Sequence, residues 1–222
     1  MDSLRGFLLR TLVWLPICFA AWYYLSILFT PPLASLVDAA LTGLFPQVIE
    51  GISADGNMLA VQTRVAVAAA GGAAGDLLFE LNPLKYGYCV PLYTALVLAT
   101  AAPDGLRMLR WLVGILVLAA VQVFGIGTEA LQAVAFQLGE EGRAALRFAP
   151  WSYDALALAY QLGYLILPPV VPIMLWLGQF GETVAAAKLP HTPGRRRFSL
   201  ERCTRAPGRS CADVADRVHE EE

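Results

Sequence analysis

Four uncharged hydrophobic stretches limit what this chain can fold into more than any other feature. They cover residues 11–37, 86–103, 111–128 and 155–181. A helix rises 1.5 Å per residue, so about 20 residues cross a hydrocarbon core of roughly 30 Å. The composition agrees, because 57% of the 222 residues are hydrophobic and only 15% are charged. The sequence predicts an α-helical integral membrane protein with four transmembrane helices and excludes a soluble fold.

The distribution of basic residues predicts the orientation in the membrane. If the amino terminus is cytoplasmic, twelve of the sixteen Lys and Arg residues fall on the cytoplasmic side, and only Arg64, Lys85, Arg143 and Arg147 fall outside. This asymmetry is the one that the positive-inside rule describes. We therefore expect both termini in the cytoplasm. The apolar character of the first stretch continues well past Ala21, which indicates an uncleaved anchor.

The segment between the first two spans changes its period. Pro31 and Pro32 are expected to kink or end the first helix, and residues 34–44 have the spacing of a short amphipathic helix. Residues 58–67 then alternate with period two, which is typical of a half-buried strand. Apolar residues on either side, across an Asp55-Gly56 step and a glycine-rich turn at 71–75, predict a three-stranded antiparallel meander.

These patterns predict four regions. They are a cytoplasmic amino terminus with the first transmembrane helix (1–29), an extracytoplasmic helix and β meander (30–85), transmembrane helices two to four (86–181), and a disordered cytoplasmic tail (182–222). So small a sheet needs something beneath its apolar face. The helix at 34–44, the membrane surface or a partner could cover it, and the meander is either a packed cap or a recruitment surface.

The junction between the meander and the second span is dense in polar and aromatic residues. These are Glu80, Asn82, Lys85, Tyr86 and Tyr88. Aromatic rings with hydroxyl groups suit the headgroup level, and Lys85 can extend toward water or pair with Glu80. The segment is either an interface anchor or a partner-binding site.

Polar residues within the third and fourth spans form a second candidate set, comprising Gln122, Glu129, Gln132 and Gln161. Polar groups in a bilayer seek partners within the bundle, so these residues are expected to join helices. The prolines at 168, 169 and 172 predict a broken fourth helix. Broken helices with polar residues also occur at transporter sites, which makes a small transporter or channel subunit the alternative function.

Three segments together resemble a known family. They are NPLKYGYCVPLYTAL at 82–96, FLLRTLVWLPICFAAWYY at 7–24 and YQLGYLILPPVVPIMLW at 160–176. The chain resembles the exosortase H-associated membrane proteins of bacteria over roughly residues 5–180. The resemblance implies the bacterial inner (cytoplasmic) membrane, an exosortase-type membrane transpeptidase as partner, and an accessory role in protein sorting, such as assembly, substrate presentation or regulation.

The sequence argues against catalysis by this chain alone. A cysteine nucleophile needs a base, and the two histidines, His191 and His219, lie in the predicted cytoplasmic tail. Cys18 and Cys89 therefore resemble small hydrophobic residues. Cys203 and Cys211 lack zinc-site spacing. We predict no metal and no cofactor, and no nucleic-acid binding either, because the basic residues lack an aromatic platform.

Overall fold

The fold is known from a computed structural model that describes residues 2–68, 74–100 and 103–186. Its contacts divide the chain into two units, Met1–Lys188 and Leu189–Glu222, and the second lies outside the described residues. Of the predicted disordered tail at 182–222, residues 182–186 are the helical end of α7 and the rest lie outside the described residues. The longer helices are α1 (Asp2–Leu44), α3 (Cys89–Ala99), α4 (Asp104–Gln132), α6 (Pro150–Gln161) and α7 (Leu167–Ala186), and the shorter ones are α2 (Leu84–Gly87) and α5 (Gly139–Leu146). The strands are β1 (Ile49–Asp55), β2 (Met58–Ala68) and β3 (Ala74–Leu81). Two π-helical turns, Ala133–Gln137 and Leu162–Ile166, extend α4 and join α6 to α7.

Three helical stretches of the described chain are long and apolar enough to cross a membrane. They are Arg5–Leu44, Asp104–Gln137 and Pro150–Gly181. The stretch Leu84–Ala99, which corresponds to the predicted second span, is a shorter apolar helix. It ends before residue 103 because Thr100 adopts an extended conformation. The protein is therefore mostly helical with three candidate membrane spans and a small sheet.

Helix α1 runs without a break through Pro31 and Pro32. The prediction that these prolines could end the first helix is wrong, and residues 34–44 are its last turns rather than a separate helix. Proline is tolerated in membrane helices where neighbouring groups compensate for the lost backbone bonds. The two prolines lack the N–H groups that would bond to the Ile27 and Leu28 carbonyls. The nearby hydroxyls of Thr30 and Ser35 donate to other carbonyls, those of Ser26 at 2.9 Å and Pro31 at 3.1 Å.

The predicted broken stretch of the fourth span is also helical throughout. The π-helical turn Leu162–Ile166 precedes Pro168 and Pro169, and Pro172 lies inside α7. A π-helical turn changes the backbone hydrogen-bonding pattern locally without ending the helix. The prediction of an interrupted helix here is wrong.

The sheet confirms the predicted antiparallel meander, with strand order β1-β2-β3. Asp55 pairs with Met58, so Gly56 and Asn57 form a two-residue loop, and Gly56 has a φ of 58°. Such a loop favours glycine because residues with a side chain rarely adopt a positive φ. The predicted turn at 71–75 lies mostly outside the described residues; Ala74 and Gly75 belong to β3.

The buried face of the sheet packs on the carboxyl-terminal part of α1. Leu59, Val61 and Val65 of β2 are buried together with Val37 and Leu41 of α1. The backbone N–H of Ile52 also donates to Asp38 Oδ1 at 2.8 Å, which ties β1 to the same helix. Of the three covers considered from the sequence, the structure uses the helix. The same core continues into α4 through Ile126 and Ala130, and into the π-helical turn that follows it through Val134.

Candidate functional site at the junction between sheet and bundle

The junction, residues 79–91, leads from the end of β3 into α2 and α3. Asn82 opens it with a side-chain turn, in which Oδ1 accepts a hydrogen bond from the Leu84 N–H at 3.0 Å. Asparagine before proline favours such a turn. The chain then enters α2, and Tyr88 joins α2 to α3 in a helical conformation. The junction is therefore held by ordered structure on both sides.

Glu129 of α4 lies at the centre of the polar contacts of the junction. One carboxylate oxygen forms an ion pair with Lys85 Nζ, and the other accepts a hydrogen bond from the Tyr86 hydroxyl at 2.9 Å. The Glu129 side chain is 13% exposed and the Lys85 side chain 35% exposed. The alternative that Lys85 pairs with Glu80 is wrong, because Glu129 takes that role. The three residues, which we call the junction cluster, tie α2 to α4.

Tyr86 is fully buried, and its surroundings explain why glycines lie nearby. A Cβ at Gly125 of α4 would lie 2.4 Å from the Tyr86 ring, so only glycine leaves room for it. The same ring meets Tyr164 edge to face, with centroids 6.1 Å apart. A Cβ at Gly163 would lie 3.1 Å from the Gly125 Cα, so α4 and the second π-helical turn also approach closely here. Small residues permit this contact between membrane helices.

The remaining predicted residues are distributed differently. Glu80 is exposed and lies opposite Ala60 of β2, while Tyr88 is partly buried. Gln122 is buried within the bundle, Gln132 is partly buried and Gln161 is exposed on its surface. The structure thus brings Lys85 and Tyr86 together with Glu129, and leaves Glu80 and Gln161 apart from them.

The sequence reasoning missed a second polar cluster at the other end of the bundle. The Tyr93 hydroxyl has two acceptors for its one hydrogen: the Arg110 carbonyl, at 3.0 Å, and Gln179 Oε1, at 2.6 Å. The Arg110 guanidinium donates to the Gln179 carbonyl and lies over the Phe180 ring, 5.1 Å from its centroid. The sequence feature that could have indicated this cluster is the spacing of Tyr86 and Tyr93, which are two helical turns apart. We call these three residues, Tyr93, Arg110 and Gln179, the distal cluster.

The chemistry of the junction cluster suits holding and recognition. Lys85 and Glu129 balance each other's charge, and both carboxylate oxygens already have partners. Cys89 is fully buried, and its thiol donates to the Tyr86 carbonyl at 3.2 Å. Within the described ranges, no group of three or more His, Cys, Asp and Glu residues could hold a metal ion.

Comparison with known proteins agrees with the membrane-spanning architecture. The model of one family, described as exosortase H-associated membrane protein, matches residues 1–183. No curated protein and no solved structure gives a significant match. The match covers every described helix and strand except the last three residues of α7. The chain therefore belongs to the family of exosortase H-associated membrane proteins.

Proposed function

We propose that this protein is a non-enzymatic accessory subunit of an exosortase H, and that it contacts the exosortase through the junction. The observation that carries the proposal is the family match over residues 1–183. An accessory role fits the chemistry of the described residues, because both cysteines among them are buried and the sequence has no histidine before His191. No observation in the described part of the chain favours the transporter or channel alternative.

The proposed topology has four crossings of the inner membrane, with both termini in the cytoplasm. Support for the short second crossing comes from its contacts with α4. Lys85, near the start of Leu84–Ala99, pairs with Glu129, whereas Thr94 accepts a hydrogen bond from Trp111 Nε1 at 3.1 Å. Helix α3 therefore lies antiparallel to α4. The 16 residues of Leu84–Ala99 extend about 24 Å along the helix axis, somewhat less than the roughly 30 Å of a hydrocarbon core.

Labelling tests this topology. Single cysteines at Gly72 and Ser199, introduced in a background without the native cysteines, should react with an impermeant thiol reagent from opposite faces of the membrane. Reaction of both positions from the same face would contradict the four-crossing arrangement.

Within the junction, we assign different roles to the residues. Glu80 is exposed and about a third of the Lys85 side chain is accessible, so these two can reach a partner. Asn82 and Tyr86 make internal hydrogen bonds and hold the segment in position. A junction that is already ordered before the partner binds loses little conformational entropy on binding, and this preorganisation favours affinity.

Capture of a tagged, co-expressed exosortase H in mild detergent tests the proposal. Wild-type protein should co-purify with it. Glu80→Ala should reduce capture, whereas Glu50→Ala, which removes an exposed glutamate from β1 of the same sheet, should not. Tyr86→Phe and Asn82→Ala should each weaken capture by about 1 kcal/mol or more. If changes at Glu80, Asn82, Lys85, Tyr86 and Tyr88 all leave capture unaltered, the junction is only an anchor. If wild-type protein captures no exosortase, the accessory role itself is wrong.

A further inference from the structure

A half-open groove runs along the bundle beside the junction. It lies between α1, the start of α2 and α3, and α4, and its volume is about 270 Å³. Its walls are mainly apolar and include Trp22, Leu36, Leu84, Trp111 and Ile115. A volume of this size is close to the lower limit of small-molecule pockets and can hold one or two large side chains, so something other than water can fill it.

Gln122 is the polar exception in this apolar wall. Its side chain lines the groove, and the residue is only 8% exposed. The amide makes no hydrogen bond to another described residue, and its polar atoms remain accessible in the groove. An unpaired amide within a bilayer is costly, and polar side chains in membrane helices normally pair inside a bundle. The groove therefore presents an amide donor and acceptor that the described part of the chain does not satisfy.

Two hydroxyl groups add hydrogen-bond acceptors to the same groove. Thr30 and Ser26 both line it. The Thr30 hydroxyl donates its hydrogen to the Ser26 carbonyl, and the Ser26 hydroxyl donates to the Tyr23 carbonyl at 2.7 Å or to Asn57 Oδ1 at 3.3 Å. Each oxygen keeps lone pairs that can accept another hydrogen bond. A suitable occupant is apolar and carries a hydroxyl or amide group.

The position of Gln122 along α4 distinguishes a protein helix from a lipid. The residue lies seven positions before Glu129, about 10 Å along the axis, and twelve positions after Arg110, about 18 Å. Acyl chains offer no hydrogen-bonding group, so only the headgroup end of a lipid could pair with Gln122. A side chain on a transmembrane helix can supply such a group at any depth.

We infer that this groove receives a transmembrane helix of the exosortase, which places a hydroxyl or amide side chain against Gln122. The inference rests on the proposed function, and it extends the proposed interface from the junction into the membrane. The two surfaces are continuous, because Leu84 and Gly87 of the junction form part of the groove wall. Apolar side chains of the incoming helix fill the rest of the volume.

Photo-crosslinking in membranes tests the inference with tagged exosortase H as the probe. A benzoylphenylalanine replaces Leu36, which lines the groove and is 52% exposed, or Leu116, which is 72% exposed on α4 outside the groove. We expect a crosslink to the exosortase from position 36 and none from position 116. A phospholipid adduct alone at position 36, or equal crosslinking from both positions, would overturn the inference.

Two matched pairs of variants then test the amide and the volume. Gln122→Leu should reduce the crosslink from position 36 roughly three- to tenfold, the scale of one interhelical hydrogen bond, while Gln161→Leu removes an exposed amide and should have no effect. Ala119→Phe fills the groove and should abolish the crosslink, while Ala120→Phe, on the exposed side of α4, should not. An unchanged crosslink in Gln122→Leu contradicts the role of the amide even if Ala119→Phe fails to fold.

Co-purification in the same samples separates the two proposals. If the exosortase co-purifies but position 36 does not crosslink to it, the groove assignment fails and the accessory function stands. If the exosortase does not co-purify with wild-type protein, the accessory function fails and the groove assignment fails with it.

Discussion

The junction cluster and the distal cluster have the same packing arrangement but different hydrogen-bonding groups. In each, a fully buried tyrosine from the second helical stretch faces a glycine of α4 and directs its hydroxyl to another helix. Tyr86 faces Gly125 and donates to Glu129, whereas Tyr93 faces Gly114 and bonds within the group formed by Arg110 and Gln179. The two tyrosines are two helical turns apart, so they project from one side of the helix.

The difference lies in what accepts the hydrogen bond. The junction cluster contains a carboxylate that is balanced by Lys85, whereas the distal tyrosine bonds to a neutral amide or carbonyl. Hydrogen bonds to charged groups are stronger than neutral ones. We therefore expect packing against glycine to be equally important at both ends, and the tyrosine hydroxyl to contribute more at the junction. Four predictions test this, each measured as the free energy of unfolding in detergent.

The largest effect is expected where glycine meets a tyrosine ring. A Cβ would lie 2.4 Å from Tyr86 at Gly125 and 2.2 Å from Tyr93 at Gly114. Both Gly125→Ala and Gly114→Ala should therefore destabilise by about 3 kcal/mol, because neither buried ring can move without cost. Gly178→Ala is the control, since a Cβ there meets nothing within 4 Å, and it should be neutral or slightly stabilising. A large loss at only one of the two glycines would break the equivalence of the clusters.

The next effect concerns the central carboxylate. Glu129→Ala leaves the Tyr86 hydroxyl and Lys85 without their shared partner, and the cost should be about 2 kcal/mol, moderated by the exposure of Lys85. Glu80→Ala removes an exposed glutamate of the same segment and should change the free energy of unfolding very little. Equal effects of the two changes would show that Glu129 contributes only surface charge.

The direct comparison of hydroxyl groups comes third. Tyr86→Phe should cost about 1.5 kcal/mol because its acceptor is a carboxylate, whereas Tyr93→Phe should cost about 0.5–1 kcal/mol, the usual value for a neutral bond between membrane helices. The rings remain in place, so packing is matched. A larger loss for Tyr93→Phe would reverse the proposed ranking of the two clusters.

The smallest effect is expected between the two clusters, at Cys89. This residue is fully buried, and its thiol makes one weak hydrogen bond, to the Tyr86 carbonyl of α2. Cys89→Ala should cost about 1 kcal/mol or less, and Cys18→Ala likewise, because little volume is lost. Exosortase capture should be unchanged in both variants. Loss of capture at a normal protein level would indicate a direct role for the thiol.

Local sequence patterns predicted the elements of this protein well. Alternation over residues 58–67 and the Asp55-Gly56 step indicated the meander, and the structure confirms both the strand order and the buried face of β2 up to Val65. The expectation that proline ends a helix was less reliable, because α1 continues through Pro31 and Pro32. That expectation describes a helix in water, whereas proline is tolerated inside membrane helices, where the surrounding bundle supports the helix on either side of it.

The candidate site was predicted only in part. Density of polar and aromatic residues identified Lys85 and Tyr86, and helical spacing identified Glu129, but nothing in the sequence linked the two sets. Their contact spans 44 positions of the chain between Lys85 and Glu129. Tyr93 and Gln179 were missed for the same reason, since 86 positions separate them.

The sequence by itself determined that the chain enters a membrane, which parts of it form apolar helices, and that a small antiparallel sheet follows the first of them. Hydropathy, period and turn chemistry act over a few residues, and they can be read along the chain. The tertiary structure decided which carboxylate Lys85 meets, which glycines face the two tyrosines, and that Gln122 lines a groove without a partner among the described residues. These outcomes depend on how helices distant in sequence pack against one another, because side-chain pairs form only where the packed backbones bring them within reach.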